Sequence, residues 1–306
     1  MNILVAGLAF LDMKGFSFNK YDPIGTNPGS VTVTHGGVAR NVAEDLAYLG
    51  ANVDFLTLLE DAPLGQEVRY RLESAGVSLS HAATVSAGGI GMWLAVFDEK
   101  GELAGSVSKM PDVQMLEGAL DEWGDEMYKA ADAVVVEYDT SYAIARKACE
   151  LAVKYNKPLY VIVGNMSVML ANKELLSPCN CTIMNEIEAG KLFNTKLTGL
   201  DGSETLKAVQ AGAKRLKLKS VIITMGPNGC VYIDGETGEC GCVPGVRCDV
   251  VDTTGAGDAF FSAAVITLTA GKGLRAACEN GVRLATSVVS AKQSACSKDS
   301  RKLLEL

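Results

Sequence analysis

The chain has 306 residues, of which 48% are hydrophobic and 21% are charged, and it carries a formal net charge of −8. This acidic balance excludes the broad basic surface that binds nucleic acid, so we expect a small-molecule partner. The nine cysteines include no Cys-x-x-Cys spacing, and only two histidines accompany them. That pattern argues against a zinc site and against a disulfide framework.

The beginning of the chain and the length of its apolar runs indicate where the protein resides. Residues 1–7 have no basic segment and only a short apolar run, which predicts a buried first strand rather than a signal peptide. No run approaches the ~18 apolar residues that a membrane span requires. Because the cysteines are expected to stay reduced, we interpret the chain as a cytoplasmic protein without a membrane partner.

The first third of the chain combines predicted strands and helices with two strand-rich insertions. Hydrophobic spacing predicts strands and helices at residues 3–6, 38–49, 53–59 and 63–75. The insertions, at 13–35 and 86–111, contain strand patterns with no helix between them. We expect them to form a small sheet that stands apart from the main body.

The rest of the chain alternates short β-branched runs with helical patterns. Strands are predicted at residues 134–136, 159–163, 182–184 and 221–224, and helices at 141–155, 168–175, 186–193 and 203–217. This alternation predicts parallel strands joined by helical crossovers. An antiparallel hairpin at 231–243 and helices at 258–270 and 273–291 follow. The charged tail, 298–306, is expected to be frayed or peripheral.

Residues 252–263 carry the strongest chemical signal. Gly255, Ala256 and Gly257 precede an apolar run with helical spacing, so a helix begins there with uncovered amides. Such a helix start binds anions, because its free amides and the positive end of its dipole point the same way. Asp258, in the first turn, is a candidate base for an attacking hydroxyl, so the stretch indicates phosphoryl transfer to an alcohol. The alternative is a glycine-rich turn that only caps a helix.

Four motifs extend this interpretation to the whole chain. They are Gly36-Gly37-Val-Ala-Arg-Asn41, Asn185-Glu-Ile-Glu188, Thr224-Met-Gly226-Pro-Asn-Gly229 and Asp252-Thr-Thr-Gly-Ala-Gly-Asp258. In this order they resemble the ribokinase-like family of sugar and nucleoside kinases. The resemblance implies one kinase domain over residues 1–306, an α/β fold in three αβα layers around a mostly parallel sheet. It also implies that the segments at about 13–35 and 86–111 form a β-sheet lid, which in some members makes a homodimer.

The resemblance further implies roles for single residues. Asp258 resembles the catalytic base, and the amides of Gly255, Ala256 and Gly257 resemble the anion hole. Substrate binding is implied for Asp12, Lys14, Gly36, Gly37 and Asn41. Nucleotide binding is implied for Asn185, Thr224, Gly226 and Gly229.

The implied cofactors are ATP and Mg²⁺, with K⁺ as a further candidate. Glu188 is expected to hold Mg²⁺ through water, and Asp252 and Thr254 resemble part of a monovalent-cation site. Asp12, Asn185 and Thr224 each follow a predicted strand. Because ligands gather at the carboxyl ends of parallel strands, we expect these residues at one rim of the sheet together with the 255–258 turn.

Some of these residues also have simpler structural interpretations. Asn185 and Glu188 have the spacing of a helix capping box, and Asp12 could cap a loop. Gly36-Gly37 could be only a tight turn between a strand and a helix.

Four residues near Gly36-Gly37 are also interpreted without a catalytic role. Asn41 could simply be solvated, because it lies opposite the apolar stripe of its helix. Arg40 and Glu44 are spaced for an ordinary surface ion pair. His35 is interpreted as a lid or hinge residue.

The pseudouridine kinases are the subgroup that the chain resembles most. The similarity is found in Asp12-Met-Lys-Gly15, in Asn27-Pro-Gly29, and at residues 35–50 and 93–103. The chain departs from the subgroup at Gly164-Asn-Met-Ser167, where Asp-Pro-Val-Ser is usual. The implied reaction is phosphorylation of pseudouridine to its 5′-phosphate.

Other substrates and one other class of protein stay open at this point. Ribose, fructose, a 2-keto-3-deoxy sugar acid or another nucleoside would suit the same fold. The sugar acid would need a cation in the lid, for which Lys14, Arg40 and Lys109 are candidates. A non-catalytic sugar-binding regulator is the alternative outside the kinases, and the intact Asp258 and its anion site argue against it.

Overall fold

The fold is described from a computed structural model, which covers residues 1–163, 166–291 and 295–306. Its strands are β1 (Asn2–Ala6), β2 (Phe10–Ser17), β3 (Gly29–Gly36), β4 (Asn52–Leu56), β5 (Leu58–Glu60), β6 (Ala83–Val85), β7 (Gly91–Phe97), β8 (Leu103–Lys109), β9 (Ala133–Glu137), β10 (Leu159–Ile162), β11 (Cys181–Asn185), β12 (Ser220–Thr224), β13 (Cys230–Asp234) and β14 (Cys240–Val243). Its α-helices are α1 (Val38–Tyr48), α2 (Pro63–Ala75), α3 (Gln114–Ala130), α4 (Tyr142–Tyr155), α5 (Ser167–Ala171), α6 (Glu186–Phe193), α7 (Gly202–Arg215), α8 (Ala256–Thr269) and α9 (Leu274–Val289). Short 3-10 helices lie at Lys173–Leu176, Gly226–Asn228 and Lys298–Leu303.

The central sheet has eight strands in the order β14-β13-β12-β11-β10-β9-β1-β4. The strands from β4 to β12 are parallel, and β13 and β14 add an antiparallel hairpin at one edge. This confirms the mostly parallel sheet predicted from the alternation of β-branched runs and helices. The carboxyl ends of the parallel strands therefore share one rim.

Helices cover both faces of this sheet, which confirms the three-layer αβα arrangement. Along β1, Ile3 and Val5 pack into the core shared with α1, α2, α8 and α9. Leu4 and Ala6 point the other way, into the core shared with α3, α4, α6 and α7. Successive strand residues face opposite sides, so a sheet buried on both faces needs the unbroken apolar run seen in β1.

A second sheet, in the order β3-β2-β7-β8, stands beside the first. Its outer pairs are antiparallel and its central pair, β2 with β7, is parallel. The predicted small sheet is thus present, but its first strand begins at Phe10, ahead of residue 13. Asp12 lies inside β2, so the expectation that Asp12 follows a central strand at the rim is wrong.

Other differences from the sequence predictions have local causes. The strand predicted at 53–59 divides at Thr57, because β5 leaves the central sheet to pair with β6. Helix α3 was not predicted. The tail 298–306 is mostly exposed, as expected of a peripheral segment, but it is attached to the body: the amide of Glu305 donates to Asn280 Oδ1 (3.1 Å), and Leu304 is buried.

Two further expectations concern cysteines and membranes. All nine cysteines are free thiols, as predicted. Within the described ranges, the model contains no helix long and apolar enough to cross a membrane. Gly164 and Asn165, part of the departure from the pseudouridine kinase pattern, lie outside the described residues.

Candidate active site

The start of α8 has the open geometry predicted for residues 252–263. Gly255 is the residue before the helix and has a left-handed backbone (φ 80°), which glycine adopts without strain. No side chain caps this helix start. A side chain at Gly257 would enter open space. The first-turn amides are therefore accessible to an anion, as at other helix starts that bind phosphate.

Asp258, in the first turn of α8, is paired with Asn41 of α1. Asn41 Nδ2 donates to Asp258 Oδ2 over 2.5 Å, across 217 residues of sequence. Burial raises the pKa of Asp258 to about 6, while the Asn41 hydrogen bond and the charge of Arg40 oppose that rise. A carboxylate with such a pKa is ionised near neutral pH yet is a stronger base than an exposed aspartate.

Asn41 is buried rather than solvated, which overturns the simpler interpretation of this residue. Its Oδ1 is buried and has no hydrogen-bond partner among the residues that the structure describes. Because Nδ2 donates to Asp258, Oδ1 is the atom left to accept. A ligand hydroxyl would satisfy it, since a buried acceptor without a partner costs free energy.

Gly36 and Gly37 let β2 and β3 approach each other closely. A side chain at Gly36 would collide with the Asp12 carboxylate at 2.6 Å. Gly37 has φ 92°, and a side chain there would meet Leu8 O at 2.7 Å. The glycines therefore leave Asp12 and the backbone open to a ligand beside Asn41. Burial raises the pKa of Asp12, against the charges of Lys14 and Arg40.

One cavity of about 940 Å³ joins these groups. Nine sequence-predicted residues line it: Asp12, Lys14, Gly36, Gly37, Asn41, Asp252, Thr254, Gly255 and Asp258. Its volume is in the range of sites that enclose small organic ligands. The structure therefore brings the residues predicted for substrate binding together in one cavity. Two of them, Asp12 and Lys14, come from β2 of the second sheet.

The residues predicted for the nucleotide lie at the rim of the central sheet. Asn185 and Thr224 are direct neighbours at the ends of β11 and β12. Gly226 and Gly229 follow with φ 54° and 88°, and a side chain at Gly229 would meet Val243 O at 2.0 Å. None of the four is among the described residues that line the 940 Å³ cavity. They form a separate group next to it.

Asn185 and Glu188 do form a capping box, the simpler interpretation of their spacing. Asn185 Oδ1 accepts from the amide of Glu188 (2.9 Å), and Glu188 Oε2 accepts from the amide of Asn185 (2.8 Å). Burial raises the pKa of Glu188, and its charge in turn raises the pKa of Asp258. Glu188 therefore caps its helix and still lies close enough to Asp258 for its charge to act on that carboxylate.

Whether the site suits a metal ion depends on the side chains that could coordinate it. Within the described part of the chain, no group of three or more Asp, Glu, His or Cys side chains could hold a metal. Mg²⁺ does not need such a cage, because it commonly uses one or two carboxylates, several waters and substrate phosphates. A single half-buried carboxylate at Glu188 fits that mode.

Hydrogen bonds within the loop and to α9 order the loop before α8. Asp252 Oδ1 accepts from the amide of Thr254 (2.8 Å), which lowers the pKa of Asp252. The amides of Val251 and Asp252 donate to Val289 O at the end of α9. The end of α9 thus holds the loop in place, and Asp252 and Thr254 line the cavity.

Sequence reasoning missed Glu137, at the end of β9. Glu137 Oε2 accepts from the amide of Leu8 (2.9 Å). Burial raises the pKa of Glu137 to about 7, and the charges of Asp139 and Asp258 add to the rise. The signal was available, since Glu137 directly follows the apolar run 133–136 and so lies at the same rim as Asn185.

The prediction of a surface ion pair between Arg40 and Glu44 is wrong. Both side chains are buried, and Arg40 is the largest side chain in the fully buried set. Their pairing (Arg40 Nη1 to Glu44 Oε2) is therefore part of the core beneath the cavity. Spacing of four residues identifies the pair but does not tell which face of the helix is covered.

Known proteins resemble this chain over most of its length. The model of the pfkB family carbohydrate kinases matches residues 2–301. The chain is 34% identical over 287 residues to a guanosine-inosine kinase from Exiguobacterium acetylicum, covering 94% of each chain. It is 25% identical to a pseudouridine kinase from Escherichia coli, covering 85% of this chain and 81% of the relative.

A solved structure shows the same fold. The ribokinase of Arabidopsis thaliana, determined with ribose and ATP, superposes with a TM-score of 0.83. The two chains are 21% identical, with coverage of 99% of this chain and 98% of that one. Because the family model spans nearly the whole chain, this protein belongs to the pfkB family of carbohydrate kinases, phosphotransferases that act on sugar or nucleoside hydroxyl groups.

Proposed function

We propose that this kinase phosphorylates the 5′-hydroxyl of a nucleoside with ATP. The observation that carries the proposal is an aromatic surface beside Asp12 on the second sheet. Trp93 is the direct neighbour of Asp12 across β2 and β7, and directly paired residues point to the same face. A nucleobase stacks on such a surface through the whole face of its ring, which favours a nucleoside over a sugar without a base.

The aromatic surface extends along β2 and β7 away from Asp12. Phe16 and Phe97 stack with ring centroids 4.9 Å apart, and Phe97 meets Trp93 edge-on at 6.5 Å. Lys14 Nζ lies 6.0 Å from the Trp93 ring centroid. Trp93 borders the cavity rather than lining it, since Asp12 and Lys14 are the lining residues beside it. A ribose held at Asp12 would therefore have its base within reach of Trp93.

The residues of the cavity suit in-line transfer to a hydroxyl. Asp12 and the free Oδ1 of Asn41 bind ring hydroxyls and direct the terminal hydroxyl toward Asp258. Asp258 accepts its proton as the oxygen attacks the γ-phosphorus. The amides of Gly255, Ala256 and Gly257 stabilise the charge of the transferred group.

The proposal also gives roles to metal ions, to the nucleotide-binding residues and to the second sheet. Glu188 holds Mg²⁺ through water, and Mg²⁺ supplies charge neutralisation for the phosphates. Asn185, Thr224, Gly226 and Gly229 bind the nucleotide. Asp252 and Thr254 belong to a K⁺ site, so replacing K⁺ by Na⁺ in the assay is expected to lower kcat. The second sheet acts as a lid that excludes water from the transfer.

Two nucleoside classes have specific support. Guanosine and inosine are favoured by the 34% identical relative, whose similarity covers nearly the entire chain. Pseudouridine is favoured by the motif similarity at residues 35–50 and by a 25% identical relative. Arg40 is not available to a sugar acid, because its guanidinium donates to Glu44 and to backbone carbonyls. Lys14 lines the cavity and is accessible to such a substrate. Free thiols on all nine cysteines support a cytoplasmic location.

A coupled ADP-release assay tests the proposal. Guanosine, inosine, pseudouridine, uridine, adenosine, ribose and fructose would be compared at equal ATP and Mg²⁺. We expect a nucleoside, with guanosine or inosine ahead of pseudouridine, to give the highest kcat/KM. If ribose or fructose exceeds every nucleoside, the nucleoside proposal fails while the family assignment stands.

A further inference from the structure

Arg40 is a buried cation beneath the cavity, and each of its three guanidinium nitrogens donates a hydrogen bond. Nε donates to Gly36 O (3.1 Å) and Nη2 donates to His35 O (2.6 Å). Nη1 donates to the Glu44 carboxylate. A charge that is fully removed from water is tolerated only when its donors are paired in this way.

The two carbonyls that Arg40 holds lie at a junction in the fold. His35 and Gly36 are the last residues of β3, which belongs to the second sheet, and α1 of the main body begins at Val38. Asp12 packs against Gly36 on one side of the junction. Asn41 follows Arg40 directly on the other side and donates to Asp258. Any shift of the junction therefore changes the distance between the groups that hold the substrate and the base.

Helix α2 contacts the same junction through two side chains that also line the 940 Å³ cavity. Arg71 donates to both oxygens of Glu44, with distances of 3.0 to 3.2 Å. Four residues earlier on α2, Glu67 contacts His35 Nε2 at 3.2 Å. The Arg40–Glu44–Arg71 network thus connects α1 and α2 to the end of β3 through groups that are mostly buried.

We propose that Arg40 is a positioning residue, which fixes the junction between the second sheet and α1 so that Asp12 and Asn41 meet the substrate in register with Asp258. This rests on the proposed function. Arg40 is separated from the cavity by Gly36 and Asn41, so it acts through them and does not bind substrate. The network was not visible as such in the sequence, where Arg40 and Glu44 have only the spacing of a helix ion pair.

The shape of arginine is part of the argument. Its planar guanidinium presents donors in fixed directions, which here reach two successive carbonyls and one carboxylate. The ammonium of lysine is a single point donor on a flexible stem and cannot make all three contacts at once. Arg40→Lys should keep the buried charge while loosening the junction.

Steady-state kinetics on Arg40→Met and Arg40→Lys test the proposal. The acceptor is the compound with the highest kcat/KM in the ADP-release assay, and inosine is tried first. We expect the KM for that acceptor to rise about tenfold or more in Arg40→Met, and less in Arg40→Lys. The KM for ATP is expected to stay unchanged, because the nucleotide residues lie on β11 and β12. Arg69→Met is the matched control, since Arg69 lies on α2 with an exposed partner, Glu73.

Amide hydrogen exchange gives a readout that does not depend on activity. Peptides covering residues 33–39 are expected to exchange faster in both Arg40 variants and at the wild-type rate in Arg69→Met. Lower stability alone would reduce the active fraction and leave the acceptor KM unchanged, and that result overturns the proposal. Wild-type exchange at 33–39 in both Arg40 variants overturns it too.

The outcomes separate this inference from the proposed function. If Arg40→Met fails to fold, Arg40→Lys decides the question, because it retains the buried charge. Full activity in Asp258→Asn would contradict the proposed chemistry and leave the hydrogen-exchange test of the junction intact. A raised acceptor KM in the Arg40 variants, together with an inactive Asp258→Asn, supports both.

Discussion

At the scale of single residues, Asp258 has the position and the protonation behaviour expected of a base. It lies in the first turn of α8 beside free amides, and Asn41 orients it. We predict that Asp258→Asn lowers kcat by ~10²-fold or more, the loss typical of removing general-base catalysis. Single-turnover measurements at saturating ATP would check this. Asp54→Asn is the control, since Asp54 pairs with His81 outside the cavity.

The pKa of Asp258 predicts how activity depends on pH. The base works only when deprotonated, so kcat/KM should fall as the pH drops through about 6. The Asn41 hydrogen bond lowers this pKa, and therefore Asn41→Ala should move the acid limb to higher pH. A pH profile of kcat/KM for both proteins checks the direction. A limb that stays in place, or moves to lower pH, would contradict Asn41 as the partner of the base.

The residues of the site differ in how far the sequence could identify them. Asp258 lies in a short motif whose chemistry depends on local spacing, whereas its grouping with Gly37 and Asn41 was expected from the family resemblance alone, because 217 residues separate Asn41 from Asp258. The burial of Arg40 was not, because it depends on Arg71 and on the carbonyl of His35, which other elements bring to it. Glu137 was missed although its position after an apolar run follows the same rule that identified Asn185.

At the scale of elements, hydrophobic spacing predicted the regular parts and missed the long-range contacts. The stripe of Val42 and Leu46 predicted α1 closely, and the alternation at Met92–Phe97 predicted β7 to within a residue. The tail looked peripheral because its charges dominate its composition. Its attachment depends on the contact between the amide of Glu305 and Asn280 on α9, which no pattern within the tail contains.

The aromatic surface on β7 predicts a selective effect on nucleosides. Removing Trp93 should lose base stacking worth ~1–3 kcal/mol, so Trp93→Ala should raise the nucleoside KM by about tenfold. The KM for ATP should not change. Titration of the nucleoside against both proteins measures this. Tyr142→Ala, an exposed aromatic residue on α4, is the control. An equal loss with ribose as acceptor would show that Trp93 does not contact the base.

The helix start of α8 predicts a separation between folding and catalysis. A side chain at Gly257 enters open space, so Gly257→Val should change the melting temperature little. The same side chain would cover the first-turn amides, and kcat should fall strongly. Thermal unfolding and the ADP-release assay, run on the same preparation, compare the two effects. A fully active Gly257→Val would exclude these amides as the phosphate site.

At the scale of the whole molecule, the outer face of the second sheet is apolar and uncovered. Val33, Met13, Leu94 and Val107 form one row across all four strands. Asp12 and Trp93 lie on the opposite face of the same sheet. Val33, Leu94 and Val107 are 51%, 49% and 68% exposed. A contiguous apolar surface of this kind is typical of a protein interface.

This face predicts a homodimer formed through the second sheet. Leu94→Lys combined with Val107→Lys should give a monomer, because burying two cations in the interface is costly. Light scattering with size-exclusion chromatography at micromolar concentration measures the mass. Val153→Lys, at an exposed valine on α4, should leave the dimer intact. A wild-type protein that stays monomeric at these concentrations would refute the dimer. A monomeric double variant with normal kcat would show that dimerisation through this sheet is separate from catalysis.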